Sequence, residues 1–83
     1  MIIEDCHVNA ILRSIDLLYI QGRIGISDAD DLTTCVIWLV GKSMNESNIQ
    51  YAINNLRGYK SVMDDKSVSS IINSIRQNLG KFL

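Results

Sequence analysis

Two stretches of the chain share one pattern: residues 20–39, IQGRIGISDADDLTTCVIWL, and residues 56–75, LRGYKSVMDDKSVSSIINSI. They overlay at an offset of 36 residues, which places Gly22 on Gly58 and one aspartate on another. Each copy shows the end of a helix, a glycine, a short turn, an acidic helix start and an amphipathic helix. The repeat therefore predicts two helical hairpins that pack together, giving an all-α four-helix bundle.

Apolar residues at helical spacing place the four helices along the chain. We predict helices over residues 4–21, 28–41, 44–57 and 65–79. The side chains predicted to face the core are Val8, Ile11, Leu12, Ile15, Leu18, Tyr19, Leu32, Cys35, Val36, Leu39, Val40, Ile49, Ala52, Ile53, Leu56, Val68, Ile71, Ile72, Ile75 and Leu79. In the first connection, Ile24 and Ile26 are both expected to tuck beneath the hairpin.

Polar residues at the helix starts predict how each helix is capped. Ser27 and Ser43 are expected to cap the second and third helices, because each is followed three residues later by an acidic residue, as in a capping box. Either Asp64 or Asp65 is expected to cap the fourth helix.

Six consecutive apolar residues, Cys35 to Val40, lie in the predicted second helix. At about 100° per residue such a run encircles a helix, which must then be central in the fold or covered by a partner. The sequence leaves both interpretations open. A strand is not expected, since no second run of similar strength exists to pair with it.

Composition limits the class of protein. The chain has 83 residues, 47 % of them apolar, and no proline, which suits one folded domain over residues 1–83. Its net charge is −1 and its basic residues are scattered, so we expect no direct binding to nucleic acid. No signal peptide or membrane span is visible, and we expect a cytoplasmic protein.

The residues needed for catalysis are not found in a usable arrangement. His7 is the only histidine, and its neighbour Cys6 is expected to point about 100° away from it on the helix. The cysteines Cys6 and Cys35 form no metal-binding motif. We therefore expect a protein that is not an enzyme and that uses no metal or cofactor.

Several exposed residues are candidates for binding a partner. The acidic clusters permit two interpretations, capping of helices or an acidic edge that meets a basic protein. Tyr51 is predicted on the outer side of the third helix beside Asn48 and Asn55, and tyrosine is a common interface anchor. The candidate partner-binding residues are Asp28, Asp30, Asp31, Tyr51, Asp64 and Asp65.

Three segments of the chain resemble the small helical immunity proteins of bacterial polymorphic and contact-dependent toxin systems. They are Asp31-Leu32, the stretch from Asn48 to Leu56 (NIQYAINNL) and the amphipathic segment from Val68 to Ile75. This resemblance implies stoichiometric blocking of a toxin domain, often a nuclease. An immunity protein is the preferred hypothesis.

The segment from Leu39 to Leu56 and the triplet Gly22-Arg23-Ile24 also resemble calmodulin-like EF-hand pairs. The calcium-ligand loop of that family is absent here, since cations and few carboxylates precede each acidic cluster. The resemblance implies a calcium-independent, light-chain-like scaffold that clasps a helical peptide. A third hypothesis is self-association, as a homodimer through Ile37 and Trp38.

Overall fold

The amphipathic stretches form helices that pack side by side around one apolar core. The computed structural model describes all 83 residues. It contains α1 (Asp5–Ile20), α2 (Ile26–Ile37), α3 (Glu46–Arg57) and α4 (Asp65–Leu79), followed by a 3-10 turn at Gly80–Phe82. Helices α1 and α3 each pack against both α2 and α4, which makes an all-α four-helix bundle.

The core is built from every helix and from the N-terminal segment. Eighteen apolar residues are buried, and the predicted inner face of α3 (Ile49, Ala52, Ile53 and Leu56) is among them. Ile3 is also fully buried, although it precedes α1. The core predictions failed at the ends of α1 and α2, because Tyr19 and Ile26 lie exposed.

The N-terminal segment pairs with the connection between α2 and α3. The Ile3 N–H donates to the Lys42 carbonyl at 2.8 Å, and the Gly41 N–H donates to the Ile3 carbonyl at 2.8 Å. Gly41 has φ +89°, a left-handed conformation that glycine adopts without strain. This pairing occupies the backbone where α2 was predicted to continue.

Helix α2 begins and ends earlier than the predicted 28–41. Its N-cap is Gly25 and not Ser27, and the Asp28 carboxylate accepts a hydrogen bond from the Gly25 N–H at 3.3 Å. The helix ends at Ile37, so the six apolar residues do not encircle it. Leu39 turns into the core, whereas Ile37 is half exposed.

Helix α3 is capped by a residue other than the predicted Ser43. Asn45 is the N-cap, and its side-chain oxygen accepts a hydrogen bond from the Asn48 N–H at 2.9 Å. Ser43 instead forms an isolated antiparallel bridge with Ile2. The capping box failed because the N-terminal segment holds Ser43 in extended backbone outside the helix.

The repeat holds for the order of elements but not for their register. Ile26 is the first residue of α2, whereas Val62, its counterpart at an offset of 36, lies in the turn before α4. Gly22 has φ +73°, while Gly58 is in the right-handed region at φ −61°. The connection between α3 and α4 is thus longer than the one between α1 and α2, and it lacks a left-handed glycine.

Asp64 caps α4 and ties the two hairpins together. Its carboxylate accepts hydrogen bonds from the Ser67 hydroxyl at 2.7 Å, from the Arg23 guanidinium at 3.1 Å and from the Lys66 N–H at 3.4 Å. The Ser67 hydroxyl, followed by Arg23, holds the pKa of Asp64 below its ordinary value of 3.8. Stability gained from this ionised carboxylate is present above that value and is lost as the pH falls through the lowered pKa.

We expect Asp64→Asn to lower the free energy of unfolding at neutral pH. The difference in the free energy of unfolding between the variant and the unsubstituted protein should become smaller as the pH falls. Protonation of Asp64 in the unsubstituted protein removes the same ionised acceptor that the substitution removes. Urea unfolding at a series of pH values from about 7 to about 2 measures this. Asp65→Asn is the matched control, since Asp65 is paired only with Lys60, at 3.5 Å and in solvent. A difference for Asp64→Asn that stays constant down to the lowest pH would contradict the prediction.

Candidate protein-interaction groove

A groove opens on the face where α2 and α3 meet. Its volume is about 450 Å³, and it is lined by Asp31, Thr34, Cys35, Trp38, Tyr51, Asn55, Gly58 and Tyr59. Four residues come from α2 and the turn after it, and they follow the spacing i, i+3, i+4 and i+7 of one helical face. The other four come from α3 and the turn that follows it. Four of the eight lining residues are apolar or aromatic, three are polar, and the eighth is Gly58.

Two aromatic rings form one wall of the groove. Trp38 and Tyr51 have ring centroids 4.5 Å apart with planes inclined by 35°. Trp38 keeps helical backbone, and its N–H donates to the Thr34 carbonyl at 3.1 Å, so its side chain continues the α2 face that meets α3. The Lys42 ammonium lies 4.9 Å from the centre of the Trp38 ring. Tyr51 remains 52 % exposed and stands as a ridge on the surface.

A second depression lies on the other side of this ridge. It has a volume of about 480 Å³ and is lined by Trp38, Ser47, Asn48, Gln50, Tyr51 and Asn54. Side-chain amides and a hydroxyl dominate it, so it offers hydrogen bonds of both polarities and no charge. Tyr51 therefore separates an acidic aromatic groove from a neutral amide-rich one.

Asp31 is the only charged residue that lines the groove. None of the three ion pairs of the chain includes it, and its carboxylate takes part in no side-chain hydrogen bond. Its charge raises the pKa of the Tyr59 hydroxyl. Burial and the same charge raise the pKa of the Cys35 thiol. The groove thus holds an uncompensated negative charge.

The six candidate residues do not form one surface. Asp31 and Tyr51 lie together in the groove. Asp28 binds the Gly25 N–H, while Asp64 and Asp65 are paired with Arg23 and Lys60 near the start of α4. Asp30 is exposed and lies outside the groove.

Cys35 and Tyr59 belong to the groove but were absent from the predicted site. The apolar surroundings of Cys35 in the sequence indicated only a buried thiol, and the thiol is in fact half-buried. The spacing of Asp31, Cys35 and Trp38 along one helical face was the signal that pointed to a shared surface. Trp38 was predicted, together with Ile37, at a homodimer face; it packs on Tyr51 within the chain, and self-association stays a prediction.

We expect the two cysteines to differ in alkylation rate. Iodoacetamide reacts with the thiolate, so the raised pKa of Cys35 should make it slower than the exposed Cys6 near neutral pH. Mass spectrometry of tryptic peptides over time measures both rates. Asp31→Asn should accelerate labelling of Cys35 and leave Cys6 unchanged. Equal acceleration at both cysteines would show that the charge of Asp31 acts on the whole molecule.

Glu4, Cys6 and His7 form a separate cluster at the start of α1. Their potential ligand atoms all lie within 4.8 Å of one another, closer than the predicted divergence of Cys6 and His7 implied. His7 turns back because its Nδ1 accepts a hydrogen bond from the Glu4 N–H at 2.8 Å. That bond uses the lone pair that a metal would need, and the helix dipole disfavours a cation here. We assign the cluster to capping of α1.

Comparison with known proteins identified no relative: no family model, no curated protein and no solved structure matches this chain. None of the four helices combines the length and apolarity needed to cross a bilayer. The chemistry of the groove is therefore the basis for inferring a function.

Proposed function

We propose that this chain is a non-catalytic module that binds a basic protein domain through the groove between α2 and α3. The observation that carries the proposal is the unpaired carboxylate of Asp31 in a groove that the exposed ring of Tyr51 also lines. An exposed aromatic ring supplies contact area at a small entropy cost, and an unpaired carboxylate selects a cationic partner.

The partner that we propose is a toxin domain, neutralised stoichiometrically in the cytoplasm as an immunity protein does. A nuclease toxin needs a basic surface to bind nucleic acid phosphates. The acidic start of α2, with Asp28, Asp30 and Asp31, would complement such a surface and raise the rate of association. The amide-rich depression beside Tyr51 would supply hydrogen bonds at the rim of the interface.

The light-chain-like alternative receives less support from the groove. A clasped amphipathic helix needs a continuous apolar surface for anchors at i, i+3, i+4 and i+7. This groove is small, and three of its eight lining residues, Asp31, Thr34 and Asn55, are polar or charged. Its shape and chemistry favour single inserted side chains over the face of a helix.

Affinity capture from the native host followed by mass spectrometry tests the proposal. We expect a basic protein that binds in a 1:1 complex, is toxic when expressed alone and is tolerated when this chain is co-expressed. Capture should be lost with Asp31→Asn and Tyr51→Ala combined, and retained with Asn73→Ala, a control on the exposed side of α4. Capture that survives the double substitution, or a partner without toxicity, would contradict the proposal.

A further inference from the structure

The groove combines one uncompensated carboxylate with three aromatic side chains. Asp28, Asp64 and Asp65 each have a donor within the chain, whereas Asp31 has none. A carboxylate can accept about four hydrogen bonds, arranged around two oxygens in one plane. Asp31 therefore presents its full accepting capacity to whatever enters the groove.

The aromatic wall is suited to a flat cation. The Lys42 ammonium already lies over the Trp38 ring, 4.9 Å from its centre, so this wall attracts positive charge within the chain itself. Tyr51 packs on Trp38 and is otherwise exposed, which leaves ring surface free for stacking. A guanidinium stacks on such a ring and binds a carboxylate with two parallel N–H groups.

A guanidinium fits these groups better than an ammonium does. Arginine is planar and weakly hydrated, while the lysine ammonium is compact and loses more hydration when it is enclosed. The Thr34 hydroxyl and the Asn55 amide also line the groove and can accept the remaining N–H groups of the fork. An ammonium has only three donors and cannot stack as a plane.

The geometry points to a subsite for one arginine side chain of the partner protein, paired with the Asp31 carboxylate and enclosed by the aromatic side chains that line the groove. This inference rests on the proposed function, which it makes specific to a residue type. The groove accepts that arginine side chain as the anchor of the interface. The amide-rich depression beyond Tyr51 contacts the partner residues around it.

Trp38 is the only tryptophan of the chain, so its fluorescence reports on the groove directly. The probe is the blocked tripeptide acetyl-Gly-Arg-Gly-amide, titrated at constant ionic strength. Peptides with citrulline or lysine in place of arginine are the comparisons, because citrulline keeps the shape without the charge and lysine keeps the charge without the plane. We expect saturable binding of the arginine peptide with Kd on the order of 1 mM, as for a small fragment.

Asp31→Asn should weaken the arginine peptide about tenfold or more, because a charge-assisted hydrogen bond is lost. Asp30→Asn is the matched control, since it removes the same charge one residue away, outside the groove. Both positions are exposed, and circular dichroism verifies that both variants fold. Equal weakening by the two substitutions, or binding of the citrulline or lysine peptide as tight as that of the arginine peptide, would overturn the inference.

The two proposals fail in different ways. If the arginine peptide binds as expected but no toxic partner is captured, the subsite stands and the toxin-neutralising role falls. If a toxic partner is captured and Asp31→Asn leaves its affinity unchanged, the role stands and the arginine subsite is wrong.

Discussion

Replacing Ile75 by alanine is expected to lower the free energy of unfolding by about 2–5 kcal/mol. Ile75 is fully buried in α4, the helix that packs on α1 and α3 and carries the final 3-10 turn. Truncation removes apolar contacts and leaves a cavity. The three helices around the cavity cannot move closely enough together to fill it. A domain of this size has a total stability on the order of 5 kcal/mol, so much of the variant should be unfolded at room temperature.

Urea unfolding followed by far-ultraviolet circular dichroism measures the loss. Ile20→Ala is the matched control, because Ile20 is 74 % exposed at the end of α1. We expect that variant to stay within about 0.5 kcal/mol of the unsubstituted protein. If both alanine variants lost equal stability, the burial of Ile75 would not account for its effect.

Local periodicity was sufficient to predict the interior of the helices. The inner face of α3 and the buried apolar positions of α4 follow from apolar spacing alone, because each helix buries one stripe against its neighbours. Helix α4 was also predicted with its observed bounds, 65–79. In these segments the local preference and the tertiary packing agree.

The end of α2 could not be predicted from local pattern. Ile3 pairs with Gly41 and Lys42, which are far from it in sequence, and no propensity encodes such a contact. Trp38 itself keeps helical backbone, so it lies on the same face as Asp31 and Cys35 and stacks there on Tyr51 of α3. The apolar run alone predicted a wholly apolar helix at this point.

The two sides of the groove come together through tertiary packing. Asp31 and Tyr51 were both predicted as exposed candidates, but their shared surface depends on how α2 and α3 pack. Asp64 shows the opposite case, since a residue proposed for binding is committed to capping and to Arg23. The fold is therefore needed to tell which aspartates of a cluster cap helices or pair within the chain and which are available to a partner.

Tyr51→Ala is expected to weaken the proposed complex by at least about 2 kcal/mol, roughly 30-fold in Kd. Tyr51 is the most exposed of the aromatic side chains in the groove and borders both depressions, so its ring would lie at the centre of the interface. Truncation would remove its contact area and open the aromatic wall. The hydroxyl should matter less, and Tyr51→Phe is expected to retain most of the affinity.

Tyr19→Ala is the matched control for this substitution. Tyr19 is a tyrosine of similar exposure, 45 % against 52 %, but it lies on α1 and outside the groove. Calorimetry or surface plasmon resonance with the captured partner compares the variants, and urea unfolding tests each fold. Loss of the Trp38 contact should cost Tyr51→Ala only about 1 kcal/mol of stability. If Tyr51→Ala and Tyr19→Ala lost the same affinity, the effect of the truncation would not be specific to the groove. The interface would then lie elsewhere on the bundle.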